Sequence, residues 1–584
     1  MHLSARLRPS LGAATGLVLG LLALGPGLRR GFLLSYDMVF VPREPFTSAM
    51  FGLAGGPPRA VPSDFVVAVA SRLLPADIVQ KLVLLLIFVL ACSGVAALLD
   101  REPALARVAA AVFYGWNPYV AERLIIGQWA LLIGYAGLPW VLRAGLALGR
   151  DSTGRGAARL IVALLPAIVS GFASMAISAL VLVPVALASR NARAVAVSVA
   201  ALAAGSLPWL IPSLLHTVYA DPGGVAAFAS RADTPFGTVG SLVMLGGMWN
   251  ADTVPKAYGG PWSAIWLAVV LAALAGYVLI GCRRPRREQG REQGREPGRE
   301  PGREPGRWPG LTAAALVSLA IACIGITEPG RALLRGAIRG WPAFAILRDA
   351  QQFIAPLALA EAIGFGLAVT WCVRPRPFGQ KIDNERGSST PPSPAPPEPP
   401  DPLGLALGVL ALVTPLLLLP GLAWGAAGRL RPAWYPASFL AAARAIDASP
   451  APGAVLLLPW AADRTPAWNR GEVMLDAWPR LVSRPVIWND GTVVGNIGTG
   501  RTGAGNLALA PDDPAARRLD RLIVSGGPMT AALRAAGVRF VVVDGAPLSA
   551  PDPRDARDTP AGARLPGAVR LYNEPELVVY QIPR

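Results

Sequence analysis

An acidic loop follows the first apolar stretch of the chain, and it holds the first residues whose types and position could do chemistry. The charge-free residues 9–28 are long enough to cross a bilayer. Residues 35–45 follow and read SYDMVFVPREP. A carboxylate held at the mouth of a span can act as a general base that takes a proton from a hydroxyl group. Asp37 is the first candidate for that role, and the alternative is an ordinary solvated loop carboxylate.

Acids, arginines and amides recur in the other loops that should lie on the same side as Asp37. Arginine at these span ends runs against the preference of basic residues for cytoplasmic loops, so it indicates a bound anion such as a lipid-linked phosphate. The candidates are, in chain order, Asp64, Glu122, Arg123, Gln128, Arg348 and Asp349.

These residue types are the ones that glycosyl transfer from a lipid phosphate requires. A carboxylate accepts the proton of the acceptor hydroxyl, and cationic groups stabilise the phosphate that leaves. We expect Asp37 to be the base, Asp64 to be the second choice, and Arg123 and Arg348 to hold the donor phosphate. Transporters also carry acids, arginines and aromatic residues in their loops, so the set favours this chemistry without defining it.

The composition indicates a polytopic membrane protein. The chain has 584 residues, of which 53% are hydrophobic and 16% charged, against about 25% charged in soluble proteins. The net charge of +17 is interpreted as topology and not as nucleic-acid binding, because Lys and Arg collect on cytoplasmic loops. With two histidines and four cysteines, zinc chemistry and histidine catalysis are not expected.

About eleven charge-free windows could be spans. They cover roughly 10–31, 79–99, 104–118, 125–147, 158–171, 174–189, 194–215, 262–281, 309–326, 352–372 and 403–424. The third is weak because Asn117-Pro118 interrupts it. The arginine distribution fits a cytoplasmic N-terminus, and an odd number of spans then places the C-terminal region outside. A cleaved signal peptide at 10–28 is the alternative for the first window.

The chain divides into a membrane domain, residues 1–428, and an extracytoplasmic α/β domain, residues 429–584. Two segments of low complexity, 283–308 and 375–402, should be disordered cytoplasmic loops. In the C-terminal domain, 455–459, 538–544 and 577–581 are predicted strands, and 436–447 and 514–524 are predicted helices. No phosphate-binding glycine loop and no nucleophile elbow occurs there.

Glu361 lies near the middle of a predicted span, where an ionised carboxylate costs at least a few kcal/mol. It therefore should face the bundle interior. One interpretation is an ion or proton path or a contact to a donor lipid. The other is a protonated or hydrogen-bonded structural residue.

Three short segments resemble the GT-C class of membrane glycosyltransferases. They are YDMVFVP at 36–42, NPY at 117–119 with the ER and GQW that follow, and LRD at 347–349 with QF at 352–353. They are similar to the actinobacterial branch that uses polyprenyl-phosphate sugars, which includes arabinofuranosyltransferase- and mannosyltransferase-like proteins. In this class an acidic residue of the first outer loop is the base, which maps to Asp37. The first loop lacks the paired acidic motif of the class, which argues against a bound divalent metal and leaves a catalytically inactive relative as an alternative.

The sequence thus predicts a polytopic α-helical membrane protein of GT-C type, multi-pass in the plasma membrane, with an outer α/β domain. The expected partners are a polyprenyl-phosphate-linked sugar, an envelope glycan or glycolipid acceptor and the lipid bilayer, with no nucleic acid. No cofactor is predicted, apart from a divalent metal that stays an alternative without a paired acidic motif to hold it. The alternative is a non-enzymatic transporter or envelope-assembly partner on the same scaffold.

Overall fold

The computed structural model describes residues 8–150, 153–215, 219–281, 308–374, 402–494, 507–545 and 561–583. The two predicted cytoplasmic loops, 283–308 and 375–402, lie almost entirely outside the described residues. The N-terminal part of the chain is helical. Its helices are α1 (Arg8–Leu24), α2 (Ser63–Leu73), α3 (Ala76–Leu98), α4 (Ala104–Gly115), α5 (Pro118–Ile125), α6 (Trp129–Arg150), α7 (Gly154–Ser170), α8 (Phe172–Ala188), α9 (Ala192–Leu215), α10 (Gly224–Ala227), α11 (Gly237–Val243), α12 (Ser263–Gly276), α13 (Pro309–Cys323), α14 (Glu328–Gly340), α15 (Ala355–Val373) and α16 (Pro402–Leu418).

Fewer helices could cross a membrane than the eleven expected. Within the described residues, seven are long and apolar enough, or eight if the bent pair Pro402–Leu418 and Pro420–Gly428 counts as one span. The difference arises from three predicted windows. They form α4, α7 and α8, which have 12, 17 and 17 residues and are shorter than the roughly 20 that a crossing needs. The count of eleven is therefore not confirmed.

The interruption predicted at Asn117-Pro118 is present and starts a new helix. The Asn117 side chain accepts a hydrogen bond from the Val120 N–H at 3.0 Å, which caps α5, and Pro118 occupies the first turn. The α5 helix is only eight residues long, and all eight are buried. This short buried helix supplies several of the candidate site residues.

Small residues allow the first helix to pack closely on α3. Gly12, Gly16 and Gly20 recur every fourth residue along α1, so they share one face of the helix. A Cβ at Gly16 would lie 2.3 Å from the Phe88 carbonyl oxygen. Close backbone approach through such small residues replaces the hydrophobic driving force that is lost in lipid. This contact fixes the end of α1, from which the acidic loop departs.

The C-terminal region contains a five-stranded mixed sheet with two helical layers. Its helices are α17 (Ala437–Ala448), α18 (Trp478–Leu481), α19 (Pro514–Val524) and α20 (Thr530–Ala535). The strands of the whole chain are β1 (Phe32–Leu33), β2 (Pro432–Ala433), β3 (Ala454–Leu458), β4 (Asp463–Arg464), β5 (Met474–Leu475), β6 (Val486–Ile487), β7 (Val493–Val494), β8 (Leu507–Ala508), β9 (Val538–Asp544), β10 (Val569–Glu574) and β11 (Leu577–Gln581). The order in the sheet is β10-β11-β9-β3-β6, with β3 parallel to both β9 and β6.

Alternation along β9 explains why both faces of this sheet are covered. Phe540 and Val542 belong to the apolar cluster that includes Phe439 of α17. Val541 belongs to the opposite cluster, with Leu519 of α19. Successive side chains of a strand point to opposite faces, so a run of apolar residues requires a layer on each side. The three strands and two helices expected from the sequence are confirmed within one or two residues.

The first loop and the C-terminal region are joined by backbone pairing. Strand β1, directly after α1, pairs antiparallel with β2, which precedes α17. Tyr36 then forms a parallel bridge to Met474 of β5. The C-terminal domain therefore sits on the end of the helical bundle where α1 ends, which we call the loop end.

Candidate functional site

The segment that carries Asp37 is a tight turn held from two sides. The Met38 N–H donates to the Ser35 carbonyl at 2.8 Å, and Tyr36 between them has a φ of 43°. On one side the Ser35 hydroxyl donates to the Ile125 carbonyl at 2.6 Å, and the Asp37 N–H donates to the Ile126 carbonyl at 3.0 Å. The end of α5 thus fixes the backbone of the turn.

The C-terminal domain holds the other side of the same turn. The Tyr36 N–H donates to the Val473 carbonyl at 2.7 Å, and the Leu475 N–H donates to the Tyr36 carbonyl at 2.9 Å. Because both backbone groups of Tyr36 are bonded, the direction in which the next side chain points is set by two distant parts of the chain. Asp37 is that next residue.

A glycine permits this close contact between α5 and the turn. Gly127 has a φ of 84°, in the left-handed region that favours glycine. A Cβ at this position would lie 2.3 Å from both the Met38 nitrogen and the Ser35 carbonyl oxygen. Both contacts are to backbone, which cannot move aside without displacing Asp37.

A chain of polar side chains leads from Asp37 into the protein. Gln128 donates from Nε2 to Oδ2 of Asp37 at 3.3 Å. The Gln128 amide oxygen accepts a hydrogen bond from Nη1 of Arg123. The pKa of Asp37 is raised above its ordinary value, because burial disfavours the ionised form. The Gln128 hydrogen bond and the charges of Arg59 and Arg480 oppose this shift without cancelling it. The environment is therefore one that can tune a carboxylate toward basic catalysis.

Arg123 is fully buried and forms a bidentate pair with Asp349. Its Nη1 lies 2.7 Å from Oδ2 of Asp349, and its Nη2 lies 3.0 Å from Oδ1. Arg123 also donates to the side chain of Gln351, whose Nε2 in turn donates to Oε2 of Glu122 at 3.1 Å. Direct contact between Arg123 and a donor phosphate would require Asp349 to move. The geometry instead assigns Arg123 to holding Gln128 and Asp349 in place.

Asp64, the second candidate base, belongs to a different pair. Nη2 of Arg480, in α18 of the C-terminal domain, lies 2.9 Å from its Oδ2, and Nε of Arg480 lies 3.8 Å from Oε1 of Glu44. Burial raises the pKa of Asp64, and the charge of Arg480 opposes this shift. Burial alone would lower the pKa of Arg480, but the charges of Asp64 and Glu44 raise it. Since Asp64 is committed to this ion pair, Asp37 is the freer carboxylate.

Arg348 and Arg59 lie on either side of Asp512. Nη2 of Arg348 lies 3.7 Å from Oδ2 of Asp512, and Arg59 of the first loop contacts the same oxygen. Arg348 also donates to the Asp221 carbonyl at 3.3 Å. Burial lowers the pKa of Arg348, the negative charge of Asp512 raises it, and the charge of Arg59 lowers it further. Two guanidinium groups thus converge on one acidic oxygen.

A cavity of about 1360 Å³ lies at the loop end of the bundle. Of the groups described above, its wall includes Asp37, Asp64, Gln128, Asp349, Asp512, Arg59, Arg348 and Arg480, whereas Arg123 lies behind the wall. Carboxyl groups outnumber arginines on its wall, where the arginines are Arg59, Arg348, Arg480 and Arg484. The remaining wall is rich in aromatic and apolar side chains. These include Trp129, Trp209, Leu210, Leu214, Phe228, Trp249, Trp341, Phe344 and Trp488.

Part of the cavity wall is a helix that otherwise faces away from the protein. Trp209, Leu210 and Leu214 come from α9, of whose span only 17% is buried within the described structure. Leu214 itself is 68% exposed. The polar site therefore lies next to a surface suited to lipid chains.

Glu361 is not among the residues that line the cavity. It lies in α15, the most buried of the candidate spans, and is itself fully buried. Among the described residues neither of its carboxylate oxygens has a hydrogen-bond partner. The hydrogen-bonded interpretation of Glu361 is therefore not met in the described part of the chain. No group of three or more His, Cys, Asp or Glu side chains that could hold a metal ion occurs in the same residues, so no metal site is assigned.

The sequence singled out Asp37 and Arg348 but not Arg59, Arg480 and Asp512, which also line the wall. Arg59 lies more than 400 positions before the other two, and no local pattern distinguishes the three. The residues that support the first loop could have been recognised in the sequence. They are Asp77, Gln80 and Lys81, polar residues at the start of an otherwise apolar span. Their side chains bond the Gly31 N–H, both backbone groups of Leu33 and the Gly31 carbonyl, at 2.6 to 3.1 Å.

This helical bundle, with an acidic first loop and a C-terminal sheet-containing region seated on the same end, has a counterpart among solved structures. The fold is shared with arabinofuranosyltransferase AftD from Mycobacteria, known from single-particle cryo-EM. That structure matches with a TM-score of 0.58 and 17% sequence identity, covering 100% of this chain and 40% of AftD. A mutant form of AftD matches with a TM-score of 0.56 and 16% identity, over 100% of this chain and 42% of that one.

The present chain thus spans about two-fifths of the length of the structures it matches. Neither a family model nor a curated protein sequence matches it. The similarity establishes the fold of a multi-pass membrane protein, and the activity has to be argued from the site.

Proposed function

We propose that this protein transfers a sugar from a polyprenyl-phosphate donor to an envelope glycan or glycolipid acceptor on the outer face of the plasma membrane. The loop end of the bundle would then be extracytoplasmic, with the C-terminal domain above it. The observation that carries the proposal is the single cavity. It places the carboxylate of Asp37, a group of arginines and an exposed membrane helix on one continuous wall.

In the proposed reaction Asp37 takes the proton from the attacking acceptor hydroxyl. The bond between the acceptor oxygen and the anomeric carbon forms as the bond from that carbon to the phosphate oxygen breaks. The electron pair of the broken bond leaves with polyprenyl phosphate. Gln128 orients the Asp37 carboxylate, and Arg123 holds Gln128 from behind. Positioned charge of this kind is most effective where water is largely excluded.

Arg59 and Arg348 are the proposed contacts of the leaving phosphate. Both now contact Asp512, so a phosphate would replace this carboxylate or share the arginines with it. Guanidinium groups bind phosphate oxygens through two parallel hydrogen bonds, which suits a tetrahedral anion between two arginines. Arg480 stays paired with Asp64 and contributes its charge to the field at Asp37.

The apolar wall supports a lipid-linked donor over a soluble nucleotide sugar. A polyprenyl chain is stabilised by apolar surface, and α9 offers Leu210 and Leu214 where the helix meets the cavity. Trp209 and Trp341 flank the same opening with flat faces suited to sugars or isoprene units. A transporter would instead need polar groups continuing through the bundle, and in the described spans Glu361 lies apart from this cavity.

The test is sugar transfer by purified protein in nanodiscs, with polyprenyl-phosphoryl arabinofuranose and mannose as alternative donors. Asp37→Asn keeps the size of the side chain and removes the base, so transfer should fall by about 10²–10⁴-fold. Donor binding and thermal stability should persist. The matched control is Asp100→Asn, an exposed aspartate in the turn between α3 and α4. Unchanged transfer by Asp37→Asn would remove Asp37 from the mechanism.

A further inference from the structure

A second carboxyl group reaches the Asp37 region from the C-terminal domain. Asp463 lies in β4 and is paired with Leu475 of β5. The Leu475 N–H donates to the Tyr36 carbonyl at 2.9 Å, so the β4–β5 hairpin is fastened to the turn that carries Asp37. Asp463 and Asp37 both line the cavity. They come from segments more than 400 residues apart, which explains why the first loop alone shows no acidic pair.

The Asp463 carboxylate has no role in holding the fold. Among the described residues it makes no hydrogen bond or ion pair, although it is only partly exposed. The neighbouring Arg464 is already used, because its Nε lies 3.0 Å from Oδ2 of Asp476 and its Nη2 donates to the Pro459 carbonyl at 2.8 Å. A semi-buried carboxyl group that faces a cavity without a protein partner is available to a ligand.

The two acids lie in different charged surroundings. Burial raises the pKa of Asp463 to about 7, the nearby charge of Asp37 raises it, Arg464 lowers it and Asp476 raises it. At pH 6 to 7 Asp463 therefore keeps its proton in a large fraction of molecules. Burial raises the pKa of Asp37 as well, and the charge of Asp349 adds to this shift, but the hydrogen bond from Gln128 and the charges of Arg59 and Arg480 oppose it. Two carboxyl groups in one site whose pKa values differ are suited to different tasks.

We propose that Asp463 is an acceptor-positioning residue, donating a hydrogen bond from its neutral carboxyl group to an oxygen of the acceptor sugar. Asp37 would then receive the proton of the attacking hydroxyl, and Asp463 would keep its own proton throughout. The acceptor is a polyhydroxylated glycan, held between the β4–β5 hairpin and the first loop. This inference rests on the proposed function and adds a specific acceptor contact to it.

Two substitutions separate this role from that of a base or a structural residue. Asn at position 463 can still donate a hydrogen bond and cannot ionise. Asp463→Asn should therefore keep the wild-type transfer rate at pH 6 within about threefold. Wild-type transfer should decline as the pH rises through about 7, where Asp463 loses its proton, and Asp463→Asn should lack this decline. Asp463→Ala should lower kcat/KM for the acceptor by roughly three- to tenfold, with donor binding unchanged. A loss of transfer in Asp463→Asn as large as in Asp37→Asn, or an unaltered alkaline decline, would overturn the inference.

The pairing of the two acids can be tested without any activity. A water-soluble carbodiimide with an amine nucleophile modifies protonated carboxyl groups, and mass spectrometry follows the peptide that contains Asp463. In Asp37→Asn the midpoint of this modification should move to lower pH, because the neighbouring negative charge is removed. An unchanged midpoint overturns the inference. If the midpoint shifts but the wild-type protein transfers no sugar from either donor, the proposed function is overturned instead, and the acceptor role with it.

Discussion

Arg123 and Arg348 were equivalent candidates for binding the donor phosphate in the sequence. From the structure we expect substitution of Arg123 to lower the stability of the protein and substitution of Arg348 to weaken donor binding. Arg123 is fully buried and paired with Asp349, whereas Arg348 lines the cavity with 13% of its side chain exposed. Arg123→Ala should lower the free energy of unfolding by about 3–5 kcal/mol, because it leaves Asp349 without its buried partner. Arg348→Ala should instead weaken donor binding by about 1.5–3 kcal/mol, or roughly ten- to 150-fold in Kd.

The assay measures both quantities on the same purified variants in one detergent. Thermal unfolding reports stability, and quenching of a fluorescent polyprenyl phosphate reports binding. Arg348→Lys should restore binding only in part, because an ammonium group cannot make the bidentate contact. Arg444→Ala is the matched control, since this exposed arginine donates only to the Leu440 carbonyl of its own helix, at 3.1 Å.

Substitution of Asp512 tests whether the donor phosphate and this carboxylate compete for the same arginines. If the phosphate competes with Asp512 for Arg59 and Arg348, Asp512→Asn should tighten donor binding. Weaker binding in Asp512→Asn would contradict the competition. A stable Arg123→Ala protein with greatly weakened donor binding would show that Arg123 reaches the phosphate after all.

Three further predictions concern the base, its support and the topology. Transfer needs ionised Asp37, so it is lost as the pH falls through the raised pKa of this carboxyl group. The charge of Arg59 lowers this pKa, and Arg59→Ala removes that charge. In Arg59→Ala the acidic limb of the pH profile of transfer should therefore move to higher pH. A limb at unchanged or lower pH would contradict this electrostatic account. Gly127→Ala should cut transfer by about 10²-fold while the bundle stays folded, because the new Cβ displaces the turn; normal transfer would mean that the turn tolerates the shift. A cysteine replacing Gln293 should react with impermeant reagents only from the cytoplasm, and one replacing Arg470 only from outside; labelling of both from one side would place the two positions on the same face of the membrane and contradict the proposed topology.

The sequence determined the elements whose signals are local. Strands β3, β9 and β11 were predictable because a buried strand is a short apolar run between turn residues, and such a run depends on its own side chains. The start of α5 was predictable for the same reason, since Asn117 caps the helix and Pro118 fits its first turn. Asp37 could be named as a candidate because a carboxylate in an apolar chain is conspicuous wherever the chain folds.

The count of membrane spans shows where local signals stop. A charge-free window gives the composition of a segment but not its helical length, so α4, α7 and α8 read as spans and form helices of 17 residues or fewer. Which carboxyl groups and arginines share the cavity was also outside the reach of the sequence.

Only the tertiary structure determined which residues contact each site residue. Arg480 meets Asp64, Arg59 meets Asp512 and Asp463 meets the turn of Asp37 across sequence separations of more than 400 residues. Contacts at such separations depend on how β1 pairs with β2 and how the β4–β5 hairpin bonds to Tyr36. Those pairings are made by backbone groups, which nearly all residues share, so the pattern of side chains in the sequence does not predict them. Packing, and not residue type, likewise determines that Arg123 is buried and paired with Asp349, whereas Arg348 lines the cavity.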